Sequence, residues 1–530
     1  MPGGSGWAGA PSWSDELPGV AGAPSGSSCG DQPDRPDSDF EDSNCDGIDG
    51  DRARALFVSP LGDDEAEGTP EAPLASLRRG IQRGQAEGRD VYVCSATYQE
   101  NLEVVGGVRL FGGFSCQQDW QRTERPAVVA PRSGLPFRLR DVGEAGAIVR
   151  EFEFVSANAT APGTSSIAAS VLRAKKVSFD HVGFHAGSGA DAPPALTPRV
   201  HGEAAGVGRP GGSSPHQQSA LTGESCFTPG GTYCDGQICD VEPPVLRPEC
   251  AARQRAIARA WRCTAEHGCL GSCETDGGKF VSTVRSMGGD GGNLFVAFDA
   301  RAGERVPDTR NAGLEGAVGE RAIEGFGHID SAGDYIADNR GSLGGFGGIG
   351  RPGKGGDGGV GYIPRAFDTD PFLGRIGGAG GTSGFPGCGG FPGNPGEAGG
   401  ASLGLVVVDS EVALERVSIR TASGGVGGSP TEGSAGQLGG AGGAGGKSSI
   451  GTPGADGQQG GTGGPGGPGG PGGGGPSVGI VAVGAAPTQR AVRFELGEGG
   501  QGGRALRGTG VGDGQRGVSQ DLVSIVKETK

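Results

Sequence analysis

The chain has 530 residues, of which 115 are glycine, only 34% are hydrophobic and 5% are aromatic, and its net charge is −16. This composition argues against one compact globule of the full length. The acidic balance argues against a nucleic-acid partner, and no apolar run approaches the roughly 18 residues that a membrane span requires.

The cysteine content indicates the compartment. Twelve cysteines point to an oxidising environment, because disulfides are rare in the reducing cytosol. Residues 1–28 contain neither the basic region nor the apolar region of a secretory signal. We therefore expect an extracellular or outer cell-surface protein whose true start lies upstream of Met1.

The predicted elements follow a leader, residues 1–36, whose Gly, Pro, Ser and Asp content predicts disorder. A strand is predicted at 54–58. A helix is predicted at 72–87, because its apolar residues recur at i, i+3 and i+7. Further strands are predicted at 91–93, 102–105 and 108–111.

A repeat indicates the architecture. The segment that starts at Ser402 recurs without a gap from Ser477, 75 residues later, so that Ile419 matches Phe494. Weaker copies lie at 177–184 and 152–154. One unit of two short strands cannot bury its own apolar face, whereas stacked units can. The sequence therefore predicts an all-β fold, a right-handed parallel β-helix.

Glycine-rich tracts separate the predicted strands. Triplets of Gly-Gly-Ala and Gly-Gly-Pro recur at 439–444 and 463–471. A period of three suits an extended threefold helix, and faces without side chains allow such helices to pack as a polyglycine II bundle. The conformational entropy of glycine favours a disordered loop instead. Both alternatives are open from the sequence.

The cysteines suggest a pairing scheme. Cys94 and Cys116 lie near neighbouring predicted strands, and Cys29 and Cys45 could pair around an acidic segment. The remaining disulfide candidates belong to a predicted Cys-rich insertion at 216–275 or follow it: Cys226, Cys234, Cys239, Cys250, Cys263, Cys269, Cys273 and Cys388. A zinc site formed by Cys263, Cys269, Cys273 and His267 is an alternative, although no Cys-x-x-Cys pair supports it.

An acidic motif at 42–51 is the strongest local signal for a ligand. Its oxygen-bearing side chains alternate along the chain and are followed by Gly47, as in the first half of a Ca²⁺ loop. The twelfth position is Ala53 instead of the bidentate Glu of an EF-hand. We expect either a Ca²⁺-stiffened loop or a solvated acidic linker, and the candidate metal ligands are Asp42, Asn44, Asp46, Asp49 and Asp51.

Residues 37–51 resemble the metal-binding motif named after MopE. Five further segments resemble an uncharacterised leader domain: 57–64, 68–70, 72–77, 90–94 and 98–100. That domain opens right-handed β-helices of the pectin-lyase-like superfamily in exported bacterial proteins. The glycine-rich insertions are similar to those of predatory soil bacteria and to mycobacterial PE-PGRS tracts. The resemblance implies a fold and an exported location, and it implies no activity.

The predicted organisation follows from these patterns. The expected regions are a disordered leader (1–36), an acidic motif (37–55), a leader domain (56–116), rungs (117–215), a Cys-rich insertion (216–275), glycine-rich insertions (276–400), rungs with a glycine-rich insertion (401–503) and a C-terminal tail (504–530).

We expect a structural or adhesive protein whose partners are polysaccharides or other cell-surface components. A carbohydrate-active β-helix enzyme is the alternative, but Asp180, His181 and His185 yield no acid/base pair from the sequence alone. An ice-binding or surface-binding polyglycine bundle is a further alternative.

Overall fold

A computed structural model describes residues 34–37, 39–208, 210, 314–347, 349–350, 356–357, 380–447 and 452–526, together with the backbone of four short strands at 233–234, 237–238, 270–274 and 280–284. Within these ranges, strands numbered β1–β24 in chain order accompany one helix, α1 (Leu77–Glu87). The expected all-β class, built mainly on parallel strands, is confirmed.

Two sheets carry most of the strands. Sheet A is parallel except at one pair and contains β1 (Ala55–Val58), β2 (Asp90–Cys94), β3 (Thr97–Tyr98), β5 (Arg109–Ser115), β6 (Gln121–Arg122), β7 (Ala127–Val129), β9 (Ala147–Val155), β11 (Val177–Ala186), β19 (Val412–Glu415), β20 (Ser418–Thr421), β22 (Thr488–Arg490) and β23 (Arg493–Glu495). Sheet B is fully parallel and contains β4 (Leu102–Val105), β8 (Phe137–Arg140), β10 (Ser166–Leu172), β18 (Ser402–Val408), β21 (Ser477–Val483) and β24 (Ser519–Ile525).

Three small antiparallel hairpins complete the strands. They are formed by β12 (Tyr233–Cys234) with β13 (Gln237–Ile238), β14 (Leu270–Glu274) with β15 (Phe280–Val284), and β16 (His328–Ile329) with β17 (Tyr335–Ile336). Residues around the third hairpin pack against the outer face of sheet B, where Tyr335 joins an apolar cluster with Leu403 and Val481.

The chain winds through the sheets in coils. In the clearest coil it runs along β18, turns at Asp409, continues through β19, bends again at Arg416 and follows β20. Both bend residues have positive φ, 48° and 49°. The unit therefore has three strand segments instead of the predicted two, because a left-handed residue divides the second segment.

The predicted register is confirmed in the pairing of neighbouring coils. Ser402 is the partner of Ser477, and Ile419 is the partner of Phe494. The weaker copies also align, since Phe184 pairs with both Phe154 and Ile419. These apolar residues point into one continuous core between the sheets, whose burial provides the main driving force for stacking.

Helix α1 begins later than predicted. Leu74 forms a bridge with Val58, so the chain around it is extended. Ser76 then caps the helix by accepting a hydrogen bond from the Arg79 N–H at 3.2 Å. Leu77 and Ile81 are buried, and Gly88 ends the helix with φ 68°.

The described parts of the glycine-rich tracts are ordered. We name the following segments the glycine bundle: 189–208, 314–323, 341–347, 380–400, 422–447, 454–476, 497–503 and 514–517. Hydrogen bonds between neighbouring segments recur every third residue; for example, the N–H groups of Gly463, Gly466 and Gly469 bind carbonyls of 431–437. This period is that of an extended threefold helix.

The central segment of the bundle is the Gly-Gly-Pro tract. Residues 460–476 are almost wholly buried. One triplet, 466–468, is hydrogen-bonded to four different neighbouring segments at 2.8–2.9 Å. The N–H groups of Gly466 and Gly467 donate to the carbonyls of Ser434 and Gly345, and the carbonyls of Gly467 and Pro468 accept from the N–H groups of Gly393 and Gly319. Proline fits the third position because that position then has no N–H to satisfy.

One strand is not predicted by the sequence pattern. The predicted C-terminal tail contains β24, which pairs with β21 along its whole length. Its polar residues, Gln520 and Ser524, hide the apolar alternation that marks the earlier copies.

Candidate functional site

The acidic loop, residues 34–54, holds the predicted metal ligands. The Asp42 carboxylate accepts hydrogen bonds from the N–H groups of Asp46 (3.1 Å) and Gly47 (2.8 Å). Asn44 Oδ1 accepts from the Asp46 N–H at 3.0 Å, and the Asp46 carboxylate accepts from the Arg52 N–H at 2.7 Å. These oxygens thus form a tight polar turn around the loop's own backbone.

The other two predicted ligands have different partners. Asp49 Oδ2 points to Arg122 Nε at 3.0 Å. Asp51 accepts from the N–H groups of Ala53 and Arg54, at 3.1 and 3.2 Å. Over the ranges that the structure describes, no group of three or more His, Cys, Asp or Glu side chains has the arrangement of a metal site. Calcium binding by the five predicted residues stays a prediction.

The loop is anchored on the outer face of sheet A. Ile48 is buried in an aromatic cluster, and the Asp51 N–H donates to the Tyr92 hydroxyl at 2.9 Å. Asp34 closes the loop by accepting from the N–H groups of Ser43 and Gly50. The aromatic members of the cluster, whose rings meet edge to face or stacked, are Phe57, Tyr92, Phe111, Phe114 and Trp120.

Arg122 is the central contact between the loop and the sheet. Its guanidinium lies 4.9 Å from the ring centres of both Phe40 and Phe114, a cation–π arrangement on two sides. Its side chain is 2% exposed and that of Asp49 is 1% exposed. Burial raises the pKa of Asp49 to about 7, although Arg122 opposes the shift. Burial likewise lowers the pKa of Arg122.

A charged network continues from Arg122 along the coils. At one bend of successive coils, residues with positive φ align in register: Glu151, His181, Arg416 and Ala491. A second column beside it contains Arg150, Asp180, Glu415 and Arg490. Arg150 with Asp180, and Glu415 with Arg490, are opposite charges on neighbouring strands. Asp180 and Glu415 are like charges in direct register, and Arg416 forms ion pairs with both of them.

Asp180 is the most connected acid of the network. Its carboxylate lies 2.7 Å from Arg416, 3.3 Å from Arg150 and 3.4 Å from His181. Burial alone would raise the pKa of Asp180, but hydrogen bonds from His181 and Arg416 outweigh burial and lower it. For Glu151, burial prevails and raises the pKa against the opposing charge of Arg122.

The network corrects one expectation. The sequence showed no second carboxylate in register with the histidines, whereas the structure places Glu151 and Asp180 at 3.5 and 3.4 Å from His181. Both carboxylates also lie beside arginines. Burial lowers the pKa of His185 to about 4, so this imidazole is neutral at pH 7. The arrangement favours cross-strand stabilisation over acid/base chemistry.

The signal for this network was present in the sequence. Aligning Val182 with Val417 places His181 beside Arg416 one position earlier. The same register places Glu151 beside His181. An alignment of the apolar residues alone does not reveal the polar columns, because these lie at the neighbouring positions.

The cysteines agree with the predicted scheme where the structure describes them. Cys94 and Cys116 form a disulfide. Cys45 and Cys388 each belong to a further disulfide. Cys29, the proposed partner of Cys45, lies outside the described residues. The same is true of the side chains of the zinc alternative (Cys263, His267, Cys269 and Cys273) and of Cys226, Cys234, Cys239 and Cys250.

The glycine bundle presents a regular surface. On the segment 422–447, every third residue is exposed: Ser423, Val426, Ser429, Glu432, Ala435, Leu438, Ala441, Ala444 and Lys447. Exposed apolar residues also occur on other segments of the bundle: Leu196, Val200, Val207, Leu314, Val318, Ile323 and Leu343. Val426 and Leu438 are the large apolar side chains of the regular row.

The part of the chain that the structure describes contains no helix long and apolar enough to cross a membrane. No family model, no curated protein and no solved structure matches this chain.

Proposed function

We propose that this chain is an exported structural or adhesive protein of the cell surface. In this proposal, the coils form a right-handed parallel β-helix of the pectin-lyase-like type, and the glycine bundle is a polyglycine II assembly that presents a binding face. The partners are polysaccharides or other surface components.

One observation carries the proposal: exposed residues recur at every third position on an ordered, close-packed bundle. A threefold helix advances about 9 Å per turn, so such residues form a straight row of nearly constant spacing. A rigid row can contact an extended partner at many points without losing conformational entropy on binding. The disulfides support an oxidising, exported location.

Binding to solid surfaces tests this proposal. The row is changed by Val426→Glu together with Leu438→Glu, and Leu61→Glu serves as the control because Leu61 is 88% exposed and lies in the leader domain. Adsorption isotherms are measured on insoluble neutral polysaccharide, acidic polysaccharide and an apolar resin. We expect the double variant to lose about tenfold in affinity on at least one surface, and the control to bind like the parent protein.

The ice-binding alternative is favoured by the same regular row, and thermal hysteresis of the same three proteins tests it. Hysteresis that disappears in the double variant identifies ice as the surface. Equal adsorption by all three proteins, with no hysteresis, would show that the row has no binding role.

A further inference from the structure

Helix α1 lies along the outer edge of β4, the last described strand at one side of sheet B. Along a parallel strand, the N–H and carbonyl of one residue point to the partner strand, and those of the next residue point away. The Leu102 N–H donates to the carbonyl of Pro136, beside β8, at 2.9 Å. The backbone groups of Asn101, Glu103 and Val105 therefore point away from β8, towards the helix.

The helix occupies the backbone on both sides of Glu103. The Arg78 guanidinium donates to the carbonyl of Asn101 at 3.3 Å, and the Gln85 side chain donates to the carbonyl of Val105 at 2.9 Å. Neither the N–H nor the carbonyl of Glu103 is hydrogen-bonded to a residue that the structure describes. One donor and one acceptor of the strand edge are thus open, side by side.

A cavity of about 440 Å³ lies at this place, between α1 and β4. Its size is that of a small-molecule site, about 300–1,000 Å³. Ile81, Leu102 and Val104 contribute apolar lining, and Arg78 and Gln82 contribute polar groups. Both polar side chains are exposed. Among the described residues, Arg78 has no ion-pair partner and the Gln82 side chain has no hydrogen-bond partner. The cavity therefore combines an apolar lining with several groups that can bind a ligand.

We propose that this cavity binds one sugar residue of a polysaccharide through two neighbouring hydroxyls, an inference that rests on the proposed function. A hydroxyl both donates and accepts hydrogen bonds. One hydroxyl accepts from the Glu103 N–H, and its neighbour donates to the Glu103 carbonyl. Further hydroxyls bind the Gln82 amide and the Arg78 guanidinium, while the C–H groups of the ring pack on the apolar lining.

The surroundings favour a sugar over a peptide strand or a simple anion. A peptide strand pairs with several successive residues of an edge, but helix side chains hold the carbonyls on both sides of Glu103. A small anion would meet Arg78, yet the second arginine of the cavity, Arg138, is already paired with Asp334 at 2.5 Å. An anion also leaves the Glu103 carbonyl without a donor.

A matched pair of variants on the full chain tests the role of the Glu103 backbone. Glu103→Pro removes the N–H and places a ring carbon at the cavity, and proline is tolerated where an edge N–H points away from the sheet. Glu103→Ala is the control, because it keeps the N–H and loses the same exposed ion pair with Arg140. Calorimetric titrations use cellobiose, mannobiose and galactobiose. We expect at least one to bind the parent with a Kd of about 1 mM or tighter. Its affinity should fall about tenfold in Glu103→Pro and stay within about twofold in Glu103→Ala.

A second variant keeps the test independent of the proline. Gln82→Ala lies on the exposed face of the helix and should weaken the same disaccharide about fivefold. Melting temperatures verify the fold of each variant. No binding by the parent at about 10 mM of any disaccharide overturns the inference. So does equal binding by Glu103→Pro and Glu103→Ala, or tighter binding of N-acetylalanine methylamide or digalacturonate, probes for a peptide and an anion.

The row of the glycine bundle separates this inference from the proposed function. Val426→Glu with Leu438→Glu leaves the cavity intact, so this double variant should bind the disaccharide like the parent. If the parent adsorbs to polysaccharide through the row but binds no disaccharide, the cavity inference alone is wrong. If the disaccharide binds at the cavity while the row variant adsorbs like the parent, the cavity is supported and the row loses its role.

Discussion

Replacing Gly467 by alanine should separate two segments of the glycine bundle. An added Cβ at this position would lie 2.6 Å from the carbonyl carbon of Ala317, 2.7 Å from the carbonyl oxygen of Gly316, and closer still to the Ala317 oxygen. Backbone atoms cannot turn away as a flexible side chain would. The segment that contains Ala317 must therefore retreat from the central segment.

The magnitude follows from the hydrogen bonds between these two segments. Ordinary contact between carbon atoms requires a retreat of about 1 Å or more. Three hydrogen bonds join the segments at 2.8–2.9 Å, from the N–H groups of Gly316, Gly319 and Ala322, and such a shift stretches all of them beyond bonding distance. At about 1 kcal/mol each, Gly467→Ala should cost about 3 kcal/mol.

Gly202→Ala is the matched control, because an added Cβ there meets nothing within 4 Å. This change should leave stability unchanged or raise it by roughly 0.4–1 kcal/mol through the unfolded state. Hydrogen exchange of the N–H groups in 316–322, measured by mass spectrometry together with calorimetric unfolding, checks both variants. If the two alanines exchange and unfold alike, close packing of glycine does not hold the bundle together.

Four further results are expected. Arg122→Met leaves the Asp49 carboxylate buried without its ion pair, so the acidic loop should detach at a cost of about 3–5 kcal/mol, seen as rapid proteolysis of that loop. Replacing Cys94 and Cys116 by serine opens a link between residues 22 apart and should cost about 3 kcal/mol in calorimetry. Burial in the folded state lowers the pKa of His185 to about 4, so its imidazole resists protonation there more than in the unfolded chain. The free energy of unfolding should therefore decrease as the pH falls from about 6.5 to 4, and His185→Gln should reduce this decrease in denaturant titrations. If the acidic loop binds calcium, the melting temperature should rise with added Ca²⁺ and fall with chelator. Equal melting curves with Ca²⁺ and with chelator would contradict calcium binding.

Much of the coil architecture could be predicted from the sequence, because each coil repeats a rule that periodicity exposes. Apolar residues at alternate positions must face the core, so the match of Ser402 with Ser477 fixed the pairing of two strands in advance. The disulfide between Cys94 and Cys116 followed from their neighbouring strands. Local pattern and tertiary structure agree at these positions.

The remaining features depend on contacts between distant segments. The inward turn of Asp49 depends on Arg122, 73 positions later in the numbering, and nothing local to the acidic motif announces that partner. The central place of the Gly-Gly-Pro tract likewise depends on the neighbouring segments that receive its hydrogen bonds. The period of three predicts the conformation of one segment and leaves the order of the segments open.

The three-residue period of the bundle also constrains how such a chain can change in length. The chain enters the bundle at the end of a strand of sheet A and leaves it at the start of a strand of sheet B, as between Thr421 and Ser477. Inserting one triplet into an outgoing segment and one into the returning segment keeps glycine at the positions where backbones touch. Inserting one or two residues puts side chains where backbones touch. Natural length variants of this chain should therefore differ by whole triplets, with the coils unaltered.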